Sequence, residues 1–246
     1  MKKKKATPIT VDTDDIVKVE NLKKVYDTNT LTGFTAVRKT SFTVKRGEFV
    51  AVVGTSGSGK STLIHMLGGV EKPSEGKVYI CGNDIYEMDD AQLSVFRCSE
   101  IGMVFQFFNL IPVLNVEENI AFPLIAAGKE PDFDEIEELV IKLGLDGHGT
   151  YLPNQLSGGQ QQRVAIGRAI IANPSLILAD EPTGNLDSKN SREVIDLLEN
   201  LCREMNKTLI IITHDESIAA RADRIMRIED GKIISDTKSV QPILNN

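Results

Sequence analysis

The glycine-rich segment at residues 54–62 constrains the fold of this chain more than any other part of its sequence. It reads Gly54-Thr55-Ser56-Gly57-Ser58-Gly59-Lys60-Ser61-Thr62 and joins a strand-like apolar run at 49–53 to a helix-like stretch at 62–67. Glycines let the backbone turn so that successive N–H groups point at one anion, and the start of a helix adds unpaired N–H donors. The order of strand, loop and helix predicts an α/β fold built on a phosphate-binding loop.

The polar side chains at the end of this segment indicate which phosphate compound it binds. Lys60 is long enough to reach the β- and γ-phosphates of a nucleotide, and the Ser61 hydroxyl is a suitable ligand for Mg²⁺. A glycine cluster alone is more typical of a turn, but here the strand, the glycines, the Lys-Ser pair and the helix are in register. The segment therefore predicts a site for ATP or GTP with Mg²⁺, to which all nine residues contribute.

Length, charge and cysteine content narrow the class of protein. The 246 residues, 41% hydrophobic and 26% charged, suit one large domain or one domain with an inserted subdomain. A net charge of −7 opposes a broad nucleic-acid-binding surface, so we expect no nucleic-acid partner. The three cysteines (Cys81, Cys98 and Cys202) are scattered and lack metal-ligand spacing, and we expect reduced thiols in a cytosolic compartment.

The sequence holds no candidate for a transmembrane helix, because no apolar run approaches the roughly 20 residues that such a helix needs. Any membrane role is therefore expected to come through a partner. The lysines at 2–5 have two interpretations, attraction to an anionic membrane surface or a solvated tail. The second is favoured, and residues 1–15 are predicted to form a flexible tail.

Two strand patterns predict two kinds of sheet. Alternating apolar and polar residues, typical of strands with one buried face, occur at 16–22 and 40–44, and 76–83 has the pattern of another strand that closes on a turn. They predict an antiparallel β subdomain beside the strand at 49–53. Continuous apolar runs, typical of strands covered on both faces, occur at 101–105, 175–179 and 208–213. They predict a mostly parallel sheet with helices between its strands.

The stretch 107–165 shows little strand character. Residues 132–143 carry an apolar stripe at helical spacing on an otherwise acidic segment. We therefore predict an α-helical subdomain at about 107–165, inserted in a core that spans 16–246. Near the end of the chain, a turn at Glu229-Asp230-Gly231 predicts a β-hairpin between 224–228 and 232–234.

Two adjacent carboxylates follow the predicted strand 175–179. Open α/β sheets bind their ligands at the carboxyl ends of the strands, which is where Asp180 and Glu181 are expected. Asp180 can hold Mg²⁺, directly or through water, and Glu181 can act as the base for an attacking water. A charged turn after a buried strand is the alternative, and the phosphate-binding loop elsewhere in the chain weakens it strongly.

A second anion-binding motif reads Leu156-Ser157-Gly158-Gly159-Gln160. Ser157 and two glycines lead into a helix-like segment, so a hydroxyl and open N–H groups meet there. With this pentapeptide as its signature, the sequence resembles the ATP-binding cassette (ABC) family from about Ile16 to Ile234. The matching motifs occur in the family's order: Tyr26, segment 54–62, Gln106, segment 156–160, Asp180-Glu181, Asn185-Leu186-Asp187 and His214.

The resemblance implies a role for each of these residues. Binding of the nucleotide is implied for Tyr26, for segment 54–62, and for Ser157, Gly158, Gly159, Gln160 and Asp187. Tyr26 would stack on the adenine, and the alternative is a half-buried aromatic residue of a strand. Catalysis is implied for Lys60, Gln106, Glu181 and His214, and Mg²⁺ binding for Ser61, Gln106 and Asp180. Asp187 has two compatible interpretations, a residue of a dimer seam and the N-cap of a helix that starts near Ser188. His65 and His148 have no partners at ligand spacing and are interpreted as structural or solvated.

The resemblance also implies a dimer. Two copies of the chain would face each other head to tail, with each ATP between the phosphate-binding loop of one copy and the signature of the other. Binding of ATP would close the dimer and hydrolysis would release it.

Within the family, segments 106–112, 115–120, 153–156 and 179–187 resemble those of the macrolide-exporter and lipoprotein-release subfamily. This implies an ATP-hydrolysing subunit at the cytoplasmic face of the plasma membrane. It would drive a separate transmembrane permease in export, lipoprotein release or the transmission of motion. The alternatives are an amino-acid importer and, much less favoured, a soluble ABC ATPase of DNA repair or translation. Candidates for the contact with the permease, or for the subdomain's own core, are Phe107, Phe108, Leu110, Ile111 and Phe122.

Overall fold

A computed structural model describes residues 14–26 and 33–239. The predicted flexible tail lies outside the described residues except for its last two, and Asp15 already begins the first strand. The strands are β1 (Asp15–Tyr26), β2 (Phe34–Lys45), β3 (Phe49–Val53), β4 (Glu75–Ile80), β5 (Asn83–Asp84), β6 (Ile101–Phe105), β7 (Leu176–Asp180), β8 (Thr208–Ile212), β9 (Arg224–Glu229) and β10 (Lys232–Lys238). The α-helices are α1 (Lys60–Leu67), α2 (Asp90–Glu100), α3 (Val116–Ala126), α4 (Phe133–Lys142), α5 (Gly158–Ile170), α6 (Ser188–Glu204) and α7 (Glu216–Ala219).

The predicted antiparallel layer is confirmed as a sheet with the strand order β2-β1-β4-β5. Strand β1 continues four residues beyond the predicted end at Leu22. A bulge between Val19 and Leu22 shifts the register there, and Asn21 has a left-handed backbone with a φ of 49°. A bulge breaks the two-residue alternation of side chains, so the sequence pattern stops before the strand does.

The predicted parallel sheet is also confirmed, with the strand order β10-β9-β3-β8-β7-β6. Strands β6, β7, β8, β3 and β9 run parallel, and β10 pairs with β9 as the predicted hairpin. Successive residues of β3 alternate between two cores. Ala51 and Val53 pack with the helices α3 to α6, whereas Val50 and Val52 pack with α1 and the antiparallel sheet. Apolar layers on both faces explain the continuous apolar run of this strand.

Three α-helices and one 3₁₀ turn (Pro153–Gln155) lie between β6 and β7. The helix predicted at 132–143 is observed as α4, with Asp132 as its N-cap. Helix α5 continues to Ile170, past the predicted subdomain limit at 165, and ends shortly before β7. Helix α2 was not predicted. None of its residues is buried, so its sequence carries no strong apolar stripe. The clearest signal for this helix is the capping box that Asp89 forms with Gln92.

Candidate nucleotide site

The phosphate-binding loop connects β3 to α1 at the carboxyl edge of the parallel sheet. Helix α1 begins at Lys60, two residues earlier than predicted, and its N-cap Gly59 has a φ of 99°. This left-handed backbone favours glycine, and a Cβ at Gly59 would also overlap the carbonyl oxygen of Ala36 in β2. The antiparallel sheet therefore packs directly against the loop.

Lys60 is folded back into the loop. Its Nζ donates to the carbonyl oxygens of Gly54 at 3.0 Å and Thr55 at 2.8 Å, and the residue is only 5% exposed. An ammonium group has three N–H donors, so one remains for a phosphate oxygen. The buried Ser58 hydroxyl of the same loop has no hydrogen-bond partner among the described residues. The loop thus holds unused donors as well as a positive charge.

The Ser61 hydroxyl and Asp180 bring two oxygen atoms together beside the loop. Ser61 Oγ donates to Asp180 Oδ1 at 3.1 Å, which joins the start of α1 to the end of β7. Hydroxyl and carboxylate oxygens are ligands that Mg²⁺ accepts, and Mg²⁺ in nucleotide sites takes its other ligands from phosphates and water. The described residues contain no cluster of three or more His, Cys, Asp or Glu side chains that would hold a metal ion alone. The residues present fit Mg²⁺ bound together with a nucleotide.

His65 is a residue of this site that the sequence analysis missed. Its Nε2 lies 3.4 Å from Asp180 Oδ2, so the two carboxylate oxygens of Asp180 face Ser61 and His65 respectively. His65 lies four positions after Ser61, and residues at this spacing share one face of a helix. The spacing could therefore have placed His65 beside Ser61, although not beside Asp180.

Glu181 follows Asp180 with a left-handed backbone, at a φ of 44°. Its N–H donates to Ile212 O at 3.1 Å, and its carbonyl accepts from Gly184 N at 3.0 Å. Such a conformation costs a non-glycine residue free energy and persists only where the surrounding structure holds it, as these two backbone hydrogen bonds do here. The side chain then points at His214, whose Nδ1 lies 3.5 Å from Glu181 Oε2.

Gln106 and Asn185 form a reciprocal pair in this structure. Gln106 Nε2 donates to Asn185 Oδ1 at 3.3 Å, and Asn185 Nδ2 donates to Gln106 O at 3.0 Å. Among the described residues, no hydrogen bond joins Gln106 to Ser61 or Asp180. Its part in Mg²⁺ binding and catalysis stays a prediction.

The signature caps the N-terminus of α5. Ser157 Oγ accepts from Gln160 N at 3.3 Å, and Gln160 Oε1 accepts from Ser157 N at 2.9 Å. This reciprocal capping box leaves Ser157 exposed at the end of a helix of 13 residues. The Nε2 atom of His148 lies 3.3 Å from the Nε2 atom of Gln160. His148 was not predicted as a site residue either.

Asp187 is confirmed as an N-cap, here of α6. It accepts from the backbone N–H groups of Lys189 and Asn190, both at 3.0 Å. Hydrogen bonds from Asn190, through its backbone and its side chain, lower the pKa of the Asp187 carboxyl. The other interpretation, a place in a dimer seam, stays a prediction.

Two aromatic residues lie where β1 ends and β2 begins. Tyr26 is paired with Phe34 across the two strands, and Phe34 is 55% exposed. Paired residues of antiparallel strands point to the same face. Phe34 lies two residues before Ala36, which packs on Gly59. Phe34 was not predicted as a site residue, and it lies beside Tyr26, which was predicted to stack on an adenine.

The structure thus brings together one group of the predicted residues at the carboxyl edge of the parallel sheet. This group consists of the phosphate-binding loop, Gln106, Asp180, Glu181 and His214. The signature belongs to a different neighbourhood, where Gly158 faces Leu186 and Phe108. No hydrogen bond or ion pair among the described residues joins 157–160 to 54–62. The two segments predicted to bind anions therefore lie in separate neighbourhoods of the chain.

A protein-family profile described as ABC transporter matches residues 37–184. Two ATP-binding proteins of lipoprotein-releasing systems, both named LolD, match nearly end to end. The LolD protein of Geobacter metallireducens is 43% identical, and the match covers 90% of this chain and 99% of LolD. The LolD protein of Chromohalobacter salexigens is 40% identical, and the match covers 94% of this chain and 98% of LolD. The macrolide export ATP-binding/permease protein MacB of Bdellovibrio bacteriovorus is 41% identical over 91% of this chain. This chain spans only 34% of the length of that MacB relative.

Solved structures of the cassette MJ0796 of Methanocaldococcus jannaschii share the fold, with a TM-score of 0.84 and 40% identity. The match covers 92% of this chain and 99% of the cassette. Both structures are described as dimeric, and one is a post-hydrolysis state bound to ADP and Pi. In the part of this chain that the structure describes, no helix is long and apolar enough to cross a bilayer.

Proposed function

This chain belongs to the ABC transporter family and is one of its ATP-binding, ATP-hydrolysing subunits, and from that premise we propose that two copies of it drive a separate transmembrane partner in an export or lipoprotein-release system. The observation that carries the proposal is the separation of the two anion-binding sites in one chain. We infer that neither site alone forms a full nucleotide pocket and that a head-to-tail dimer joins the loop of one copy to the signature of the other. The dimeric MJ0796 structures and the near full-length match to LolD support this arrangement.

The loop and its neighbours would hold the ATP phosphates. Lys60 would turn its free N–H donor toward the β- and γ-phosphates, and the N-terminus of α1 would add backbone donors. Ser61 and Asp180 would hold Mg²⁺, which when bound neutralises charge on the phosphates. Tyr26, with Phe34 beside it, would stack on the adenine.

Glu181 and His214 would handle the attacking water. The Glu181 carboxylate can accept a proton from water, and His214 lies within 3.5 Å of that carboxylate to hold its orientation. Gln106 would exchange its bond with Asn185 for a contact near the γ-phosphate when the nucleotide binds. Ser157 and the N-terminus of α5 in the second copy would then close on the same phosphate, with Asp187 near the seam.

The proposed contact with the transmembrane partner is a groove between α2, β6, α3 and α5, with a volume of about 530 Å³. It is lined mainly by apolar side chains, Ile111 and Phe122 among them. Of the predicted contact residues, Phe107 is 71% and Phe122 43% exposed, whereas Leu110 packs on the core. We retain a helical subdomain at about 107–165, which supplies one wall of this groove through residues such as Ile111 and Phe122, on the cytoplasmic face of the membrane.

Light scattering tests the dimer. The Glu181→Gln variant should convert from monomer to dimer when MgATP is added, and adding Ser157→Arg to that variant should abolish the dimer without weakening nucleotide binding to the monomer. A Glu181→Gln variant that binds MgATP yet stays monomeric would overturn the proposal.

Affinity purification from detergent-solubilised membranes of the native host tests the partner. A protein with several transmembrane helices should copurify with the tagged chain in a fixed stoichiometry. Recovery of the chain with ribosomes or DNA-repair proteins instead would contradict the membrane role.

A further inference from the structure

We propose that His148 is a positioning residue for the signature. It fixes the side-chain amide of Gln160, and through it the orientation of Ser157 toward the nucleotide held by the second copy. This inference rests on the proposed function, because it assumes that the signature contacts ATP in trans.

The bond of His148 to its own loop defines its tautomer. His148 Nδ1 lies 2.8 Å from the carbonyl oxygen of Asp146. A carbonyl oxygen can only accept, so Nδ1 carries the hydrogen. In the neutral ring, Nε2 is then an acceptor.

The capping box defines the orientation of the Gln160 amide in the same way. The backbone N–H of Ser157 can only donate, so the Gln160 atom 2.9 Å from it is the amide oxygen. The amide nitrogen consequently faces His148 Nε2 at 3.3 Å, and a donor meets an acceptor. The tautomer of His148, assigned from Asp146, agrees with the amide orientation of Gln160, assigned from Ser157. Together they specify a chain of hydrogen bonds from Ser157 through Gln160 and His148 to Asp146.

His148 is well suited to this task because its own backbone and ring are held. Its N–H donates to Leu145 O and its carbonyl accepts from Tyr151 N, both at 2.9 Å. Leu145 is fully buried, and the imidazole ring packs at 4.9 Å from the ring of Tyr151. Tyr151 O in turn accepts from Val116 N at the start of α3. The signature is thereby tied to a second helix.

Loss of His148 would free the Gln160 amide to rotate about its last torsion angle, which is intrinsically broad. Rotation would present the amide nitrogen to Ser157 N, donor against donor, and would open the capping box. The Ser157 hydroxyl and the helix N-terminus would then lose their common orientation. Binding of ATP to the phosphate-binding loop of the same chain would be unaffected, since that loop has no bond to His148.

The test measures ATP-dependent dimerisation in the Glu181→Gln background, with His148→Phe and His148→Gln compared. Phenylalanine keeps a ring but has no acceptor, and we expect about tenfold weaker dimerisation from the lost hydrogen bonds. Glutamine can offer an amide oxygen near the position of Nε2 and should restore most of the affinity. Binding of MgATP to the monomer should be the same in all variants.

A double-mutant cycle with Gln160→Ala separates positioning from general destabilisation. If His148 acts through Gln160, His148→Phe should have almost no further effect once Gln160 is alanine. Equal effects of His148→Phe with and without Gln160, or no effect at all while Ser157→Arg abolishes the dimer, would overturn this inference and leave the proposed function intact. Failure of the Glu181→Gln reference itself to dimerise would overturn the proposed function instead.

Discussion

The carboxylate of Glu181 and the imidazole of His214 lie 3.5 Å apart, although the two residues follow different strands. The left-handed backbone of Glu181, at a φ of 44°, directs its side chain to this point, and its N–H bond to Ile212 O ties it to the strand that precedes His214. The side chain of His214 is 70% exposed, and that of Glu181 is 26% exposed. The pair thus faces open space at the carboxyl edge of the sheet, where a water and a γ-phosphate can approach.

Replacing Glu181 by Gln should remove the proton acceptor while keeping the size of the side chain. We expect turnover of ATP to fall about 10²-fold or more, since general-base catalysis contributes on that scale, with MgATP binding retained. Steady-state phosphate release and equilibrium binding measure the two effects. Glu216→Gln is the matched control, because Glu216 is a carboxylate exposed on α7 and paired with Arg227. Full turnover in Glu181→Gln would remove Glu181 from the mechanism.

Lys60→Ala should act on binding rather than on turnover alone. The variant loses the ammonium group that donates to Gly54 O and Thr55 O, and with it the positive charge that we propose faces the phosphates. We expect at least about tenfold weaker binding of MgATP by calorimetry, the scale of a lost charge-assisted hydrogen bond. Lys142→Ala, at the exposed end of α4, should bind as the unchanged chain does. Equal affinities for the two variants would contradict the assignment of Lys60.

Asp187 variants separate its role as a cap from a role in the dimer. Asp187→Asn keeps an oxygen for the N–H groups of Lys189 and Asn190, whereas Asp187→Ala removes it. We therefore expect the Tm of the alanine variant to fall further than that of the asparagine variant. A dimer lost in Asp187→Asn at an unchanged Tm would indicate a role in the seam, and equal Tm values for all three chains would contradict the cap.

The same comparison has a defined pH dependence. Hydrogen bonds from Asn190 lower the pKa of Asp187 in the folded chain, so the unfolded chain binds the proton more readily. The resulting stability is present above the unfolded pKa, about 3.9, and is lost as the pH falls through the lower folded pKa. The Tm difference between the unchanged chain and Asp187→Asn should therefore shrink in acid. If this Tm difference instead grew below pH 4, the lowered pKa of Asp187 in the folded chain would be contradicted.

The sequence predicted the elements whose patterns are local. Strand β6 is observed with the predicted bounds because its continuous apolar run is covered on both faces and ends at polar residues. Helix α2 lacks a buried face and gave no comparable pattern. The phosphate-binding loop and the signature could be recognised as candidate sites because each is one short, continuous segment of the sequence.

The contacts between distant segments were not predictable in this way. His65 could have been paired with Ser61 by helical spacing, but its approach to Asp180 depends on how α1 packs on β7. Gln106 and Asn185 are 79 residues apart, and His148 reaches Gln160 only because the turn at 145–151 folds against α3. No local pattern encodes these pairings, since they follow from tertiary packing.

A charge in the groove between α3 and α5 should separate partner binding from ATP chemistry. Phe122 and Ile111 line this groove, and an aspartate at either position would place a carboxylate against an apolar partner surface. We expect Phe122→Asp and Ile111→Asp to lose copurification with the membrane protein, while MgATP binding and ATP-dependent dimerisation in the Glu181→Gln background persist. Ile141→Asp is the matched control, because Ile141 is 54% exposed on α4 of the same subdomain but does not line the groove. If the groove variants assemble as well as the Ile141 variant does, the partner binds another surface.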